Sequence, residues 1–74
     1  MGRLRILGKG GDKEISWTPE DREQLDDARF VFETLLREGY HAYSLEEDGR
    51  TGEFLRGFKP EAHEIVLAPR FVGG

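Results

Sequence analysis

Gly73 and Gly74 close the sequence, directly after the apolar stretch Glu64-Ile65-Val66-Leu67-Ala68-Pro69. A carboxylate on a tether without side chains can thread a narrow enzyme channel and be activated there as an acyl group, and glycine is the residue type that such a passage requires. The matching nucleophiles would be amines. Only Lys9, Lys13 and Lys59 carry one on a side chain, against eight arginines. Lys9 and Lys13 flank the Gly-rich segment Gly8-Lys9-Gly10-Gly11, where an exposed amine could reach an acyl donor; either is the expected site of self-linkage, with Lys59 the third candidate acceptor.

Other chemistry finds poor support. Gly8-Lys9-Gly10-Gly11 lacks the GxxxxGK[ST] spacing of a phosphate loop and leads into a strand pattern rather than a helix, so no helix amino terminus would face a phosphate. His41 and His63 are the only histidines and lie far apart in sequence; even with Glu61 and Glu64 beside the second they make a weak zinc set, and no metal is expected. Ser16 with His41 could be drawn as part of a triad, but one small sheet offers no water-excluding cleft. No catalytic residue and no cofactor are expected.

Composition narrows the rest. A chain of 74 residues makes one small domain that buries only about 60% of its unfolded surface, which disfavours an enzyme cleft. Without cysteine it has no disulfide or thiolate to help, so core packing must hold the fold alone. Fifteen acidic residues against 11 basic ones give a net charge of −4, and no two basic residues adjoin, so the footprint of a nucleic-acid binder is missing. The longest apolar run, Ile65 to Pro69, is far shorter than a membrane span. The start Met1-Gly2 suits myristoylation but Ile6 stands where Ser or Thr is needed, and Arg3 and Arg5 interrupt any secretory signal. These features lead to the expectation of a cytoplasmic protein without membrane or nucleic-acid partners.

The elements that must position the tail follow from hydrophobic period. Arg3-Leu4-Arg5-Ile6-Leu7 and Glu14-Ile15-Ser16-Trp17 alternate with period two around the Gly-rich turn, a β-hairpin pattern. Thr18 reads as an N-cap, Pro19 as the first helical residue, and Leu25, Ala28, Phe32, Leu35 and Leu36 as one helical face, with Val31 on its edge, Phe30 off it, and Gly39 just past the end. Residues 40–45 read as a third strand, Glu46 to Gly52 as a turn around Asp48-Gly49, 53–56 as a short fourth strand, and 57–63 as a turn with room for one helical loop begun at Pro60. The final strand, 64–68, is nearly all apolar and should sit centrally with both faces covered. Tyr40 or Tyr43 would lie on the sheet face that the helix leaves open, a candidate docking patch.

This order is that of an α+β β-grasp, a mixed four- or five-stranded sheet packed on one helix, with the last strand parallel to the first. Residues 1–69 would form the domain and 70–74 a flexible Gly-Gly tail. Ubiquitin and its relatives, including bacterial ubiquitin-like modifiers, have this plan. The end from Glu64 to Gly74 also resembles that of the sulfur carriers of molybdopterin and thiamine synthesis, where an acidic-apolar-apolar strand and a proline precede Gly-Gly. The resemblance implies that Gly74 is the acyl donor and that Gly73 lets the backbone lie extended in the slot of an ATP-dependent activating enzyme. It implies that Arg70, Phe71 and Val72 are read by that enzyme, although in ubiquitin the basic residues stand closer to the glycines. Three functions stay open: a protein modifier conjugated to target amines, with an activating enzyme and with a conjugating enzyme and an isopeptidase as further partners; a sulfur carrier ending in a thiocarboxylate; and a non-covalent β-grasp adaptor.

Overall fold

The computed structural model describes residues 2–8 and 11–69. Five strands and one helix follow in the order β1 (Gly2–Ile6), β2 (Lys13–Trp17), α1 (Arg22–Arg37), β3 (His41–Leu45), β4 (Thr51–Leu55) and β5 (Glu64–Ala68). The strands form one sheet in the order β2-β1-β5-β3-β4, in which β5 runs parallel to β1 and antiparallel to β3. This is an α+β fold of β-grasp type, with a five-stranded mixed sheet. The final strand occupies the centre, as its apolar sequence requires, and residues 64 to 67 are all buried.

One sheet face carries Leu4, Ile15, Trp17, Ala42, Ile65 and Leu67, and the helix covers it with Ala28 and Phe32 at the centre and Leu25, Val31, Leu35 and Leu36 around them. Phe30 points away and is 68% exposed, as its helical phase requires. Trp17 ties three elements together. Its indole N–H donates to the Pro60 carbonyl at 2.9 Å, and its ring lies 5.0 Å from Phe58, which in turn meets the Phe32 ring edge-on at 5.8 Å. The Arg29 guanidinium sits over the Phe58 ring, 5.8 Å from its centroid. Gly2, set aside in sequence as a poor myristoylation site, is needed for packing. A Cβ there would collide with the Trp17 ring, so β1 can pass beneath the indole only as glycine.

Local corrections concern element ends. The helix is capped by Asp21, not Thr18. Pro19 sits inside a turn closed by the Asp21 N–H donating to the Thr18 carbonyl at 2.9 Å, and Asp21, in extended conformation, accepts from the Gln24 N–H through its side chain at 3.2 Å. The Gln24 side-chain oxygen accepts in return from the Thr18 N–H at 2.8 Å, so the proline preorganises a turn ahead of the helix instead of forming its first residue. At the other end Gly39, at φ +100°, closes the helix as expected: its N–H donates to the Leu36 carbonyl and that of Tyr40 to the Leu35 carbonyl, each at 3.0 Å. This pairing keeps Tyr40 out of β3 and against the core, so Tyr43 alone of the two tyrosines belongs to the open sheet face. The fourth strand spans 51–55 rather than 53–56, and no helical turn forms at Pro60, where one hydrogen bond from the Ala62 N–H to the Lys59 carbonyl closes a turn.

The β3–β4 pairing slips by one residue between Tyr43 and Leu45, leaving Gly52 and Glu53 opposite Ser44. The buried Ser44 hydroxyl accepts from the Glu53 N–H at 3.1 Å, and a Cβ on Gly52 would collide with that oxygen. The bulge thus satisfies a polar side chain that the alternation places on the helix side of the sheet.

Phe32→Ala should cost about 3–5 kcal/mol, a large share of the roughly 5–15 kcal/mol expected of such a domain, whereas Phe30→Ala should cost well under about 1 kcal/mol. Urea unfolding of the two variants checks this, and equal losses would refute the helical phase.

Candidate functional site

The chain leaves the sheet from the end of β5, and the geometry there follows from register. Ala68 pairs with His41 of β3, while the Leu7 N–H, just beyond β1, donates to the Leu67 carbonyl at 2.9 Å. Residues from Pro69 onward therefore start between the ends of the two central neighbours of β5, and Pro69 itself is exposed. A proline has no N–H to continue the ladder, so pairing ends there. Gly73 and Gly74, together with Arg70, Phe71 and Val72, lie outside the described residues, as does Lys9.

The open sheet face carries two unlike halves. On the β1 side Glu64, only 5% exposed, lies within 3.3 Å of the Arg3 guanidinium and 3.6 Å of that of Arg5, and Arg3 also reaches Glu14 at 3.1 Å. Two acids and two guanidiniums neutralise one another, so this half is an internally compensated network and not an anion site. On the β3–β4 side the face is apolar. Val66 lies in register between Arg5 and Tyr43; Tyr43 meets Phe54 edge-on with centroids 6.2 Å apart, Leu45 lies further along β3, and Phe54 is 78% exposed. An aromatic ring this exposed on an edge strand, beside Tyr43 and Leu45, is a surface that a partner can cover. Sequence reading singled out Tyr43 but missed Phe54; its alternation with Leu55, whose partner Ala42 is buried, was the available signal.

The candidate acceptor lysines differ. Lys13, at the start of the edge strand β2, is exposed. Lys59 holds Glu53 at 2.9 Å, and that hydrogen bond, followed by the Glu53 charge, raises its pKa above the ordinary lysine value, with Glu61 and Glu46 adding to the effect. A raised pKa means that the pair favours the folded state through neutral pH and that this contribution is lost only as pH climbs through the Lys59 pKa. It also keeps the amine protonated, which withholds the lone pair that attacks an acyl carbon. The remaining sequence candidates are separated. Ser16 on β2 and His41 on β3 stand three strand spacings apart across the sheet, about 14 Å, and four residues apart along it, since Ser16 is level with Leu45. His63 precedes β5 and His41 adjoins its end, about 16 Å of strand between them, too far to share one ion. The loop between β1 and β2 is a hairpin connection, with the Gly11 N–H donating to the Gly8 carbonyl at 3.2 Å and Gly11 at φ +110°. Among the described residues no helix is long and apolar enough to cross a membrane. Comparison of the chain with protein-family models, curated proteins and solved structures returns no match.

Acylation with an amine-reactive ester at mildly alkaline pH, read by peptide mapping, should modify Lys13 several-fold faster than Lys59. Glu53→Gln should bring Lys59 most of the way to the Lys13 rate; an unchanged ratio would show that the Glu53 contact does not control the amine.

Proposed function

We propose that this chain is a cytoplasmic ubiquitin-like modifier, activated at Gly74 and joined to target amines. The observation that carries the reading is the placement of β5: a buried central strand parallel to β1 that ends at Ala68, just before Pro69 and five residues before Gly73-Gly74. A rigid strand delivers the tail from a fixed point, and a glycine pair can then enter a slot too narrow for side chains. The chemistry needs no catalytic group on this chain. In the active site of an activating enzyme, a Gly74 carboxylate oxygen attacks the α-phosphorus of ATP and pyrophosphate leaves. A thiol of that enzyme or of a conjugating enzyme then attacks the carbonyl carbon, AMP leaves, and a lysine amine finally displaces the thiol to form the amide. The apolar surface of exposed Phe54 with half-buried Tyr43 and Leu45 supports the reading as the place where the activating enzyme holds the domain while the tail is inserted, with Arg70, Phe71 and Val72 read along the way. An isopeptidase would reverse the bond.

Incubation with an adenylating enzyme of the ubiquitin-activating type and ATP should give an adduct visible by intact mass. Deleting Gly74, or Gly73→Val, should abolish it with no change in far-ultraviolet circular dichroism; equal reaction of the deleted protein would overturn the acyl-donor role and leave a non-covalent adaptor.

In cells the conjugate has its own signature. Trypsin cuts after Arg70, so a modified lysine should carry Phe71-Val72-Gly73-Gly74, a four-residue remnant readable by mass spectrometry. Finding a carboxyl-terminal thiocarboxylate and no remnant-bearing peptide would replace conjugation by sulfur transfer, which shares the first step.

A further inference from the structure

Where α1 ends beside the edge strand β4, the structure leaves an open groove of about 380 Å³. Leu36, Ala42 and Leu55 form its apolar floor, and the exposed His41, Phe54 and Arg56 stand around it. A second groove, of about 350 Å³, continues from it over Leu36 and Arg56 to Glu33 and Arg37. Arg3, Arg5, Arg50 and Lys59 are all held by carboxylates of this chain, but neither Arg37 nor Arg56 has an ion-pair partner among the described residues. Two guanidiniums therefore line the grooves against the single carboxylate of Glu33, in a chain of net charge −4.

The backbone beside the groove has a free side. β4 has a neighbour on one side only, and the Glu53 N–H and carbonyl both turn toward it, to the Ser44 hydroxyl. Strand alternation then turns the Phe54 N–H and carbonyl outward, to the open edge. A strand added there would lie about 4.8 Å beyond β4, with its alternate side chains falling on the Leu55 side and on the Phe54 side, so its middle must be apolar. Beside Arg37 and Arg56 it must be acidic. The chain's own edge strands do not fit, because each carries one carboxylate, Glu14 in β2 and Glu53 in β4, and these are engaged by Arg3 and Lys59.

We propose that β4 and the groove beside it bind an extended segment of another protein, a short apolar strand flanked by carboxylates, which adds to the sheet at its edge. Backbone hydrogen bonds from Phe54 hold the segment, Leu36 and Leu55 take its apolar side chains, and Arg37 and Arg56 pair with its carboxylates. Neither Gly73 nor Gly74 takes part, so this binding does not depend on the acyl-donor reading. Phe54 borders both the groove and the Tyr43 surface, which makes the arginines the residues to vary.

NMR titration of the isotope-labelled full chain with the end-blocked peptide Asp-Asp-Val-Ile-Val-Leu-Asp-Asp tests the site. The expected result is amide shifts centred on Leu36, Ala42, Leu55 and Arg56, with slowed hydrogen exchange at Phe54. Arg37→Gln combined with Arg56→Gln should weaken binding about ten-fold at low salt while circular dichroism stays the same, and the peptide with lysine in place of aspartate should not bind. Absence of shifts with the aspartate peptide, shifts centred on β2, full affinity of the arginine variant or equal binding of the lysine peptide would each overturn the proposal. So would shifts at β4 that grow with protein concentration before any peptide is added, since a second copy would then occupy the edge.

Discussion

Parallel pairing of β1 with β5 is the constraint on which the rest of the molecule depends. It joins the two most distant strands of the sequence, Leu4 with Ile65 and Ile6 with Leu67, and closing so long a loop costs chain entropy that only burial can offset. The burial comes from β5 itself, whose residues 64 to 67 are covered on both faces. Once β5 is wedged between β1 and β3, the hairpin, the helix and the β3–β4 pair all have a fixed floor. A domain without cysteine has no disulfide with which to hold its ends together.

The same wedge makes the two faces of the sheet unequal. On the helix side Trp17, Phe58 and Phe32 stack from the sheet through the 57–63 turn to the helix, and the indole bond to Pro60 pins that turn, so the connection into β5 arrives at a fixed place. On the other side a buried carboxylate, Glu64, is paired with Arg3 and Arg5, which adds a charge constraint to the register of β1 against β5 that the buried apolar residues already favour. A shift by one residue would turn Ile65 and Leu67 outward and leave Glu64 in the core. The apolar half of that face, Tyr43 with Phe54, is left uncovered by the other described residues at Phe54. The charges that surround the lysines then divide them chemically, since Glu53 engages Lys59 and Lys13 stands at an exposed edge.

Much of this was legible in the residues. Period two in 3–7 and 14–17, and the 3.6 period of Leu25, Ala28, Phe32 and Leu35, determined those elements and the face each presents, because periodicity is a property of the local chain. Gly39 marked the helix end because that closure needs a positive φ. The length and apolarity of the last strand implied its central place. What the sequence left undecided are relations between distant segments. Asp21 displaced Thr18 as the cap because Gln24 folded back to Thr18, a choice made by two side chains across a turn. Gly2 and Gly52 acquired their meaning only when Trp17 and Ser44 came to lie against them. Phe54 became an exposed surface because β4 falls at the sheet edge, and the groove beside it exists because the end of α1, at Leu36, comes to lie beside Ala42 and Leu55. Local pattern settles what each segment is, whereas clefts, edges and close approaches arise from surfaces that touch only after the chain has closed.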